Sequence, residues 1–148
     1  HIMQSGPFTR SRAMQKNYAK KRSGHTKGCV FCRVSKNNVA QIIEARKHCL
    51  ILRNIHGYDM WDGFGVVDHL MVIPRRHVVG LSELTKAEKM ACLEAMTEYE
   101  AQGYSLYARA PENSSKTVVH QHTHLIKIDN KRKRWLLHIR RPHVRLMG

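Results

Sequence analysis

His120-Gln121-His122-Thr123-His124 places three histidines at alternate positions, between Val118–Val119 and Leu125–Ile126. An alternating run with apolar, β-branched flanks predicts a strand, here over residues 117–128. Side chains alternate across a strand, so we expect all three imidazoles on one face. Imidazole can act as a nucleophile, an acid, a base or a metal ligand near neutral pH. We interpret this histidine row as a functional site, because an interior, alternating run is unlike a purification tag.

The charge of the chain is concentrated at its two ends. Residues before Cys29 include seven Lys or Arg and no acid, and residues after Ile126 include eight Lys or Arg and one acid. The part between them is close to neutral, since the whole chain of 148 residues carries a formal charge of +15. Basic ends favour polyanions such as nucleotides, nucleic acid or acidic partners. The alternative is that they only maintain solubility or are partly disordered, which we favour for the N-terminal end.

The length fits one domain with a real core. We expect a basic arm over residues 1–28, with a short helical piece near 12–21, a folded domain over 29–140 and a basic tail over 141–148. The first three residues look like a cloning remnant. No apolar run has transmembrane length and no signal-peptide core is present, so a cytoplasmic protein without a membrane partner is expected.

Two of the four cysteines form the pair Cys29-x-x-Cys32. Cys49 lies in a strand-like run and Cys92 in a helical one, where free cysteine usually behaves as a small core residue. A structural disulfide set is disfavoured in a cytoplasmic protein, which leaves metal binding or redox chemistry for the pair.

The rest of the pattern predicts an α+β domain with a mostly antiparallel sheet of five to six strands and one long helix. Thr85 and Glu88 form a capping-box pair that begins the helix, and Gly103 ends it. The expected buried side of the helix carries Leu93, Ala95, Met96 and Tyr99. The predicted strands or extended segments are 38–44, 49–53, 66–73, 104–108, 117–128 and 135–138, and the predicted loops or turns are 54–65, 109–116 and 129–134.

Three segments together resemble the histidine triad (HIT) superfamily of nucleotide-binding proteins. The histidine row with Leu125 and Ile126 fits the triad motif. The run from His69 to His77, HLMVIPRRH, is similar to the strand that members carry before their long helix. Cys29-Val30-Phe31-Cys32 resembles the amino-terminal zinc-ligand pair of many bacterial members. The order and spacing of the segments fit over residues 29–140.

This resemblance implies a HIT-like α+β fold, usually as a homodimer whose sheet continues across the interface. It also implies hydrolysis or transfer of a nucleotidyl group at an α-phosphate. The substrates implied are nucleoside phosphoramidates, dinucleoside polyphosphates or adenylylated conjugates. A phosphorylase, which would need added phosphate, is a further option.

The resemblance also assigns roles to individual histidines. His122 matches the nucleophile that forms a nucleotidyl-histidine, and we expect a backbone carbonyl to hold its other ring nitrogen. His124 would face the phosphate or leaving-group oxygens. His69 matches a fourth histidine beside the triad; the alternative is a buried, hydrogen-bonded strand residue. His120 completes the catalytic set as the first triad member.

In zinc-bearing relatives, the first triad histidine and the Pro-x-x-His position supply the imidazole ligands. These positions are His120 and His77 here, and with Cys29 and Cys32 they would form a closed tetrahedral site for structural zinc. The alternatives are a zinc-free protein with reduced thiols or a redox Cys-x-x-Cys pair. Zinc is favoured over redox chemistry because the pattern lacks a redox-type βαβ unit.

Asn54 follows an apolar strand at the position where relatives bind the ribose, although a loop asparagine is often a turn former. Many relatives carry Asn-x-Gly and then Gly-Gln before the triad, whereas this chain has residues 109–117, RAPENSSKT. Lys116, Ser115 and Arg109 are candidates to replace the missing phosphate contacts. Gln121 and Thr123 stand where relatives usually have apolar residues, so the substrate of well-studied members does not transfer directly.

Two classes of function therefore follow from the sequence. The first is a nucleotidyl hydrolase or transferase with His122 as nucleophile. The second is a nucleotide or nucleic-acid binding module with little turnover, favoured by the basic tails and the absent Gly-Gln.

Overall fold

A computed structural model describes residues 28–37, 39–132, 136–140 and 143–147 of the chain. The predicted basic arm and its helical piece lie outside these residues, as do parts of the basic tail, so the domain boundaries stay predictions. The helices are α1 (Val30–Asn37) and α2 (Lys86–Ala101), with short 3-10 segments at Val39–Gln41 and Leu81–Glu83. The strands are β1 (Ile42–Ala45), β2 (Cys49–Arg53), β3 (Met60–Trp61), β4 (Phe64–Pro74), β5 (Ser105–Tyr107), β6 (Thr123–Arg132), β7 (Leu136–Arg140) and β8 (His143–Met147).

Six strands form one open antiparallel sheet in the order β1-β2-β4-β6-β5, with β3 paired to β4. The predicted fold class, an α+β domain with a mostly antiparallel sheet and one long helix, is confirmed. Strands β7 and β8 form a separate two-stranded sheet, close to where the extended segment 135–138 was predicted. No helix among the described residues combines the length and the apolar character needed to span a membrane.

The long helix α2 begins as predicted, with Thr85 as N-cap. The Thr85 side chain accepts from the N–H of Glu88, and the Glu88 carboxylate accepts from the N–H of Thr85. Cys92 and Ala95 are buried against the sheet, and Met96 and Tyr99 pack beside them. The prediction that Leu93 faces the core is wrong: its side chain is 52% exposed. Positions 92, 95, 96 and 99 form one helical face, and position 93 lies outside it.

The predicted strand over residues 117–128 begins later than expected. β6 starts at Thr123, and it continues through Arg132, where a turn was predicted. Tertiary contacts explain the late start, because the N–H of Gln121 donates to the carbonyl of Val78, in the segment that follows β4, at 2.7 Å. Only His124 of the histidine row therefore lies in the strand, and the alternation argument does not place His120 and His122.

The segment 54–65, predicted as a loop, contains a small hairpin. β3 pairs with the start of β4 across Asp62 and Gly63, both of which have positive φ, at 50° and 81°. An Asp-Gly pair with positive φ at both residues is typical of a tight two-residue hairpin turn. This hairpin brings Trp61 close to the end of β5, where Tyr107 lies.

Candidate active site and metal centre

The strand pair β4 and β6 places His69 and His124 on one face of the sheet. Their neighbours Leu70 and Leu125 are paired with each other and pack against α2 in one buried cluster. Successive side chains of a strand point to opposite faces. His69 and His124 therefore lie on the face away from α2, and both are buried.

The four predicted zinc ligands come together. Cys29 lies directly before α1 and Cys32 lies in its first turn. Sγ of Cys32 is 3.3 Å from Nδ1 of His77 and 3.5 Å from Nδ1 of His120. Sγ of Cys29 is 3.6 Å from the same atom of His120. All four ligand atoms lie within 4.8 Å of one another.

These distances fit tetrahedral zinc. Bonds of about 2.3 Å to sulfur and about 2.0 Å to nitrogen place the ligand atoms roughly 3.5 Å apart. Nε2 of His120 donates to the carbonyl of Pro74 at 2.8 Å, so its Nδ1 lone pair faces the two sulfurs. Burial, with the neighbouring Cys29 thiol, raises the pKa of Cys32. A bound divalent cation would reverse this effect by stabilising both thiolates.

His122 adjoins His124, with 4.9 Å between their ring centroids, and its side chain is buried. Its Nδ1 donates to the carbonyl of His120 at 2.8 Å, the backbone contact expected from the sequence. Burial is the main cause that lowers the pKa of His122 to about 4, and the charges of Lys116 and Arg109 act in the same direction. The ring is therefore neutral at physiological pH, and Nε2 carries the lone pair.

A chain of hydrogen bonds fixes the tautomers of His69 and His124. The backbone N–H of Tyr58 donates to Nδ1 of His69 at 2.9 Å, so the ring hydrogen of His69 is on Nε2. That Nε2 lies 2.9 Å from Nδ1 of His124, which accepts, and the hydrogen of His124 is then on Nε2. Nε2 of His124 lies 3.2 Å from Nη1 of Arg109. Two donors lie side by side, an arrangement that suits an anionic oxygen.

Arg109 follows β5 and is buried, with 9% of its surface exposed. Its Nη1 donates to the hydroxyl of Tyr58 at 2.8 Å, and its Nε donates to Oγ of Ser115 at 2.9 Å. Ser115 in turn donates to the side-chain oxygen of Asn113 at 2.6 Å. Among the described residues no carboxylate forms an ion pair with this guanidinium. Because its hydrogen-bond partners are neutral, the positive charge remains available to an anion.

Lys116 is the second cation near His122. Its Nζ donates to the carbonyl of Val79 at 2.7 Å, and burial lowers its pKa. Its charge contributes to the lowered pKa of His122, as that of Arg109 does. The structure thus brings Arg109 and Lys116 close to His122, whereas Ser115 contacts Arg109 by accepting a hydrogen bond from its Nε.

Asn54 comes directly after β2 and forms a turn. Its Oδ1 accepts from the N–H of His56 at 2.9 Å, and its own N–H donates to the carbonyl of His69 at 3.0 Å. Its Nδ2 lies 3.4 Å from Nε2 of His69. Asn54 therefore lies at the edge of the site, and its contact with a ribose stays a prediction.

Sequence reasoning missed three aromatic residues beside His124. The rings of Tyr58 and Trp61 are stacked at 5.9 Å, Trp61 and Tyr107 lie 4.9 Å apart, and Tyr107 and His124 lie 6.2 Å apart. The guanidinium of Arg109 lies 5.2 Å from the centre of the Tyr107 ring. One feature of the sequence could have revealed them. The Asp62–Gly63 pair lies between two aromatic residues and predicts a tight hairpin, which would bring Trp61 back to the sheet.

Comparison with known proteins gives structural matches only. No protein-family model and no curated protein sequence matches the chain. A HIT family hydrolase from Clostridium thermocellum matches with a TM-score of 0.54 and 19% identity, over 74% of this chain and 99% of that one. A HIT family member from Bacillus subtilis matches with a TM-score of 0.55 and 21% identity, over 71% and 76%. A zinc-bound histidine triad protein from Mycobacterium smegmatis matches with a TM-score of 0.52 and 25% identity, over 70% and 76%.

Proposed function

We propose a nucleotidyl hydrolase or transferase activity for this chain, whose fold is that of the histidine triad (HIT) proteins. The observation that carries the proposal is the state of His122. Its Nδ1 is bonded to a backbone carbonyl, its pKa is about 4, and two cations lie nearby. A neutral imidazole with an available Nε2 lone pair is a nucleophile suited to a phosphate ester or phosphoramidate at pH 7.

The reaction would proceed in two displacements at the α-phosphorus. In the first, Nε2 of His122 forms a bond to phosphorus, and the bond to the leaving group breaks with its electron pair. In the second, water attacks the nucleotidyl-histidine, and the electron pair of the P–N bond returns to His122. The proton lost by the water balances the proton gained by the leaving group, and a nucleoside monophosphate is released. An alcohol, amine or phosphate in place of water would give transfer.

Arg109 and His124 would stabilise the charge that develops on the phosphate oxygens. Nη1 of Arg109 and Nε2 of His124 lie 3.2 Å apart, and the Tyr58 hydroxyl lies 2.8 Å from the first and 3.5 Å from the second, where an oxygen of the ligand could replace it. Donors held in place before the reaction act on the transition state without reorganisation. Lys116 would add charge on the nucleophile side, and Asn54 is the candidate contact for the ribose.

The metal centre would have a structural role. Cys29, Cys32, His77 and His120 would hold zinc, and a metal held by four protein ligands would supply cross-linking rather than Lewis-acid chemistry. It would join α1 to the segment that carries His122. A reducing compartment such as the cytoplasm would keep the four free cysteines in the thiol state.

A homodimer is part of the proposal. β5 is an edge strand of the sheet, and Leu106 on it pairs with Leu125, which faces α2. Leu106 therefore lies on the helix side of the sheet, where Met90 and Leu93 of α2 are also exposed. Pairing of two β5 edges would cover these apolar side chains. Sedimentation of the protein and of a Leu93→Asp/Leu106→Asp variant would test the dimer.

The activity is tested with His122→Ala and a panel of adenosine phosphoramidates, dinucleoside polyphosphates and adenylylated conjugates. We expect release of AMP by the wild type and loss of that release in the variant. His48→Ala, a half-buried histidine outside the site, is the matched control and should retain activity. Acid-labile label from [α-³²P]substrate on the wild type, absent from His122→Ala, would identify the intermediate. Tight, salt-sensitive oligonucleotide binding without turnover would instead favour the binding-module alternative, in which the basic tails contact nucleic acid.

A further inference from the structure

Three aromatic residues, one just before β3, one in β3 and one at the end of β5, form an aromatic wall. We define this wall as Tyr58, Trp61 and Tyr107. The Tyr58 and Trp61 rings are parallel within 2°, with 5.9 Å between their centres, and the Trp61 and Tyr107 rings lie 4.9 Å apart. Tyr58 is buried, whereas Trp61 and Tyr107 are half-buried and keep accessible surface. Tyr58 therefore packs behind the wall, and Trp61 and Tyr107 form its accessible surface.

The wall is continuous with the groups that would hold the phosphate. Tyr107 lies 6.2 Å from the His124 ring, at an angle of 23° to it. Arg109 bonds the Tyr58 hydroxyl and lies over the Tyr107 ring. A ligand whose phosphate contacts His124 and Arg109 would therefore have its next atoms beside Trp61 and Tyr107.

In-line displacement decides which part of the ligand that is. The attacking atom, the phosphorus and the leaving atom lie close to one line, so the leaving group departs on the side opposite His122. The His122 ring contacts Phe31 of α1 at 5.2 Å and His124 at 4.9 Å. The ring contacts that the described wall residues make with the histidine row go to His124, at 5.3 Å from Tyr58 and 6.2 Å from Tyr107. The wall is therefore reached past His124, where the leaving group, rather than the nucleoside that carries the reacting phosphate, would lie.

We propose that Trp61, with Tyr107, is a stacking platform for a planar aromatic leaving group and makes the enzyme selective for such substrates. The proposal rests on the proposed function. Every aromatic leaving group offers a π-face, so the platform accepts either the second base of a dinucleoside polyphosphate or an aromatic amine of a phosphoramidate. Removal of one stacking side chain typically weakens such contacts roughly 5- to 100-fold.

The first experiment compares two adenosine phosphoramidates that differ only in the leaving amine, tryptamine or hexylamine. We expect Trp61→Ala to lower kcat/KM for the tryptamine compound about tenfold and to change the hexylamine compound less than about twofold. Trp61→Phe should restore most of the selectivity, and Tyr104→Phe, an aromatic residue outside the wall, should leave it unchanged. Melting temperatures identify any variant that does not fold, and Trp61→Leu then replaces Trp61→Ala as the test.

A second pair of substrates distinguishes the two sources of the aromatic group. Diadenosine tetraphosphate has a second base, and adenosine 5′-tetraphosphate lacks it. If Trp61→Ala lowers kcat/KM more for diadenosine tetraphosphate than for adenosine 5′-tetraphosphate, the aromatic group that stacks on Trp61 is a base. If the loss of kcat/KM is confined to the tryptamine compound, the stacking group is an aromatic amine. Equal losses on all compounds, or none, would overturn the platform.

The two proposals fail in different ways. Turnover of the hexylamine compound by the wild type tests the proposed function alone. If the wild type turns over none of the compounds, calorimetric binding of the tryptamine and hexylamine compounds to wild type and Trp61→Ala still decides the platform. An unchanged ratio of dissociation constants would overturn it.

Discussion

The two ends of the candidate site differ in what their imidazoles contact. We call Cys29, Cys32, His77, His120 and His122 the zinc end, and His69, His124 and Arg109 the phosphate end, after the groups proposed to bind there. At the zinc end, His120 and His122 each donate to a backbone carbonyl, of Pro74 and of His120. At the phosphate end, Nδ1 of His69 accepts from a backbone N–H, and Nε2 of His69 donates to His124. A backbone carbonyl or a backbone N–H thus selects which ring nitrogen keeps its lone pair. Histidines therefore differ in which ring nitrogen can accept a proton or bind a ligand, according to the backbone group that each one contacts.

The ends also differ in their charged neighbours. The zinc end offers two sulfurs, which become anionic when a cation binds. The phosphate end offers Arg109, whose described hydrogen bonds go to neutral groups. The chemistry of the zinc end therefore suits a cation, and that of the phosphate end suits an anion. Four changes test this contrast.

The largest effect is expected from removal of the zinc end. Cys29→Ser/Cys32→Ser should reduce bound zinc from one equivalent to none, because two imidazoles alone do not complete a tetrahedral site. Stability should fall by about 4 kcal/mol when free zinc exceeds its Kd for the wild type a thousandfold. Elemental analysis and thermal unfolding measure the two quantities.

The other two cysteines provide the control for this experiment. Cys49 and Cys92 are buried in the core between β2 and α2, away from the zinc end. Cys92→Ala should keep one equivalent of zinc even if it unfolds at a lower temperature. Zinc loss in that variant, or zinc retained in the double serine variant, would remove the assignment of the metal ligands.

The next effect is expected at the phosphate end. Arg109→Ala should lower kcat/KM for an adenosine phosphoramidate about 100- to 1,000-fold, the usual cost of losing one positioned donor to a reacting oxyanion. Arg109→Lys should recover only part of this loss, because a lysine keeps the charge without the planar fork. Steady-state kinetics provide the measurement, and zinc content should be unchanged in both variants.

Arg46→Ala is the matched control for Arg109. Its guanidinium pairs with Glu44 and Glu98 outside the site, so the variant loses one positive charge with little change in kcat/KM. If both arginine variants lose activity equally, the effect is one of net charge, and the contrast between the ends weakens.

A smaller effect is expected from Lys116, whose charge acts on both His120 and His122. Lys116→Met should lower kcat/KM about tenfold. A hydrogen bond from a charged group to phosphate contributes about 1.5 kcal/mol, which corresponds to roughly that change in rate. Lys89→Met, on the exposed surface of α2, should have no effect. A tenfold loss in both variants would indicate long-range attraction of substrate by charge, which added salt would abolish.

Much of the architecture could be predicted because its signals are local. Thr85 and Glu88 determine where α2 begins through contacts within one turn. The cluster of Cys29, Cys32, His77 and His120 could be predicted from the resemblance, since Cys29 and Cys32 occur in the expected order before His77. Local patterns of this kind are independent of how the rest of the chain packs.

The parts that could not be predicted depend on distant contacts. β6 starts at Thr123 because Gln121 bonds Val78, a partner far away in sequence. The aromatic wall depends on the register that places Trp61 opposite Phe64 and brings its ring near Tyr107. Periodicity reports which residues share a face, and it carries no information on which segment covers that face.

The smallest effect is expected at the base of the zinc end, where Arg76, next to His77, pairs with Glu88 at 2.9 Å. This pair and the Thr85 contacts lower the pKa of Glu88 to about 2. A carboxyl whose pKa is lower in the folded state stabilises the fold above its unfolded pKa of about 4.3, and this contribution is lost as the pH falls toward 2. The test uses the Cys29→Ser/Cys32→Ser variant, because zinc binding releases protons and would add its own pH dependence to the stability. In this variant, Glu88→Gln should lower the melting temperature by about 1–3 °C at pH 7. The two proteins should melt together near pH 2; a difference that persists there would mean that Glu88 acts through packing or through the cap rather than through its charge.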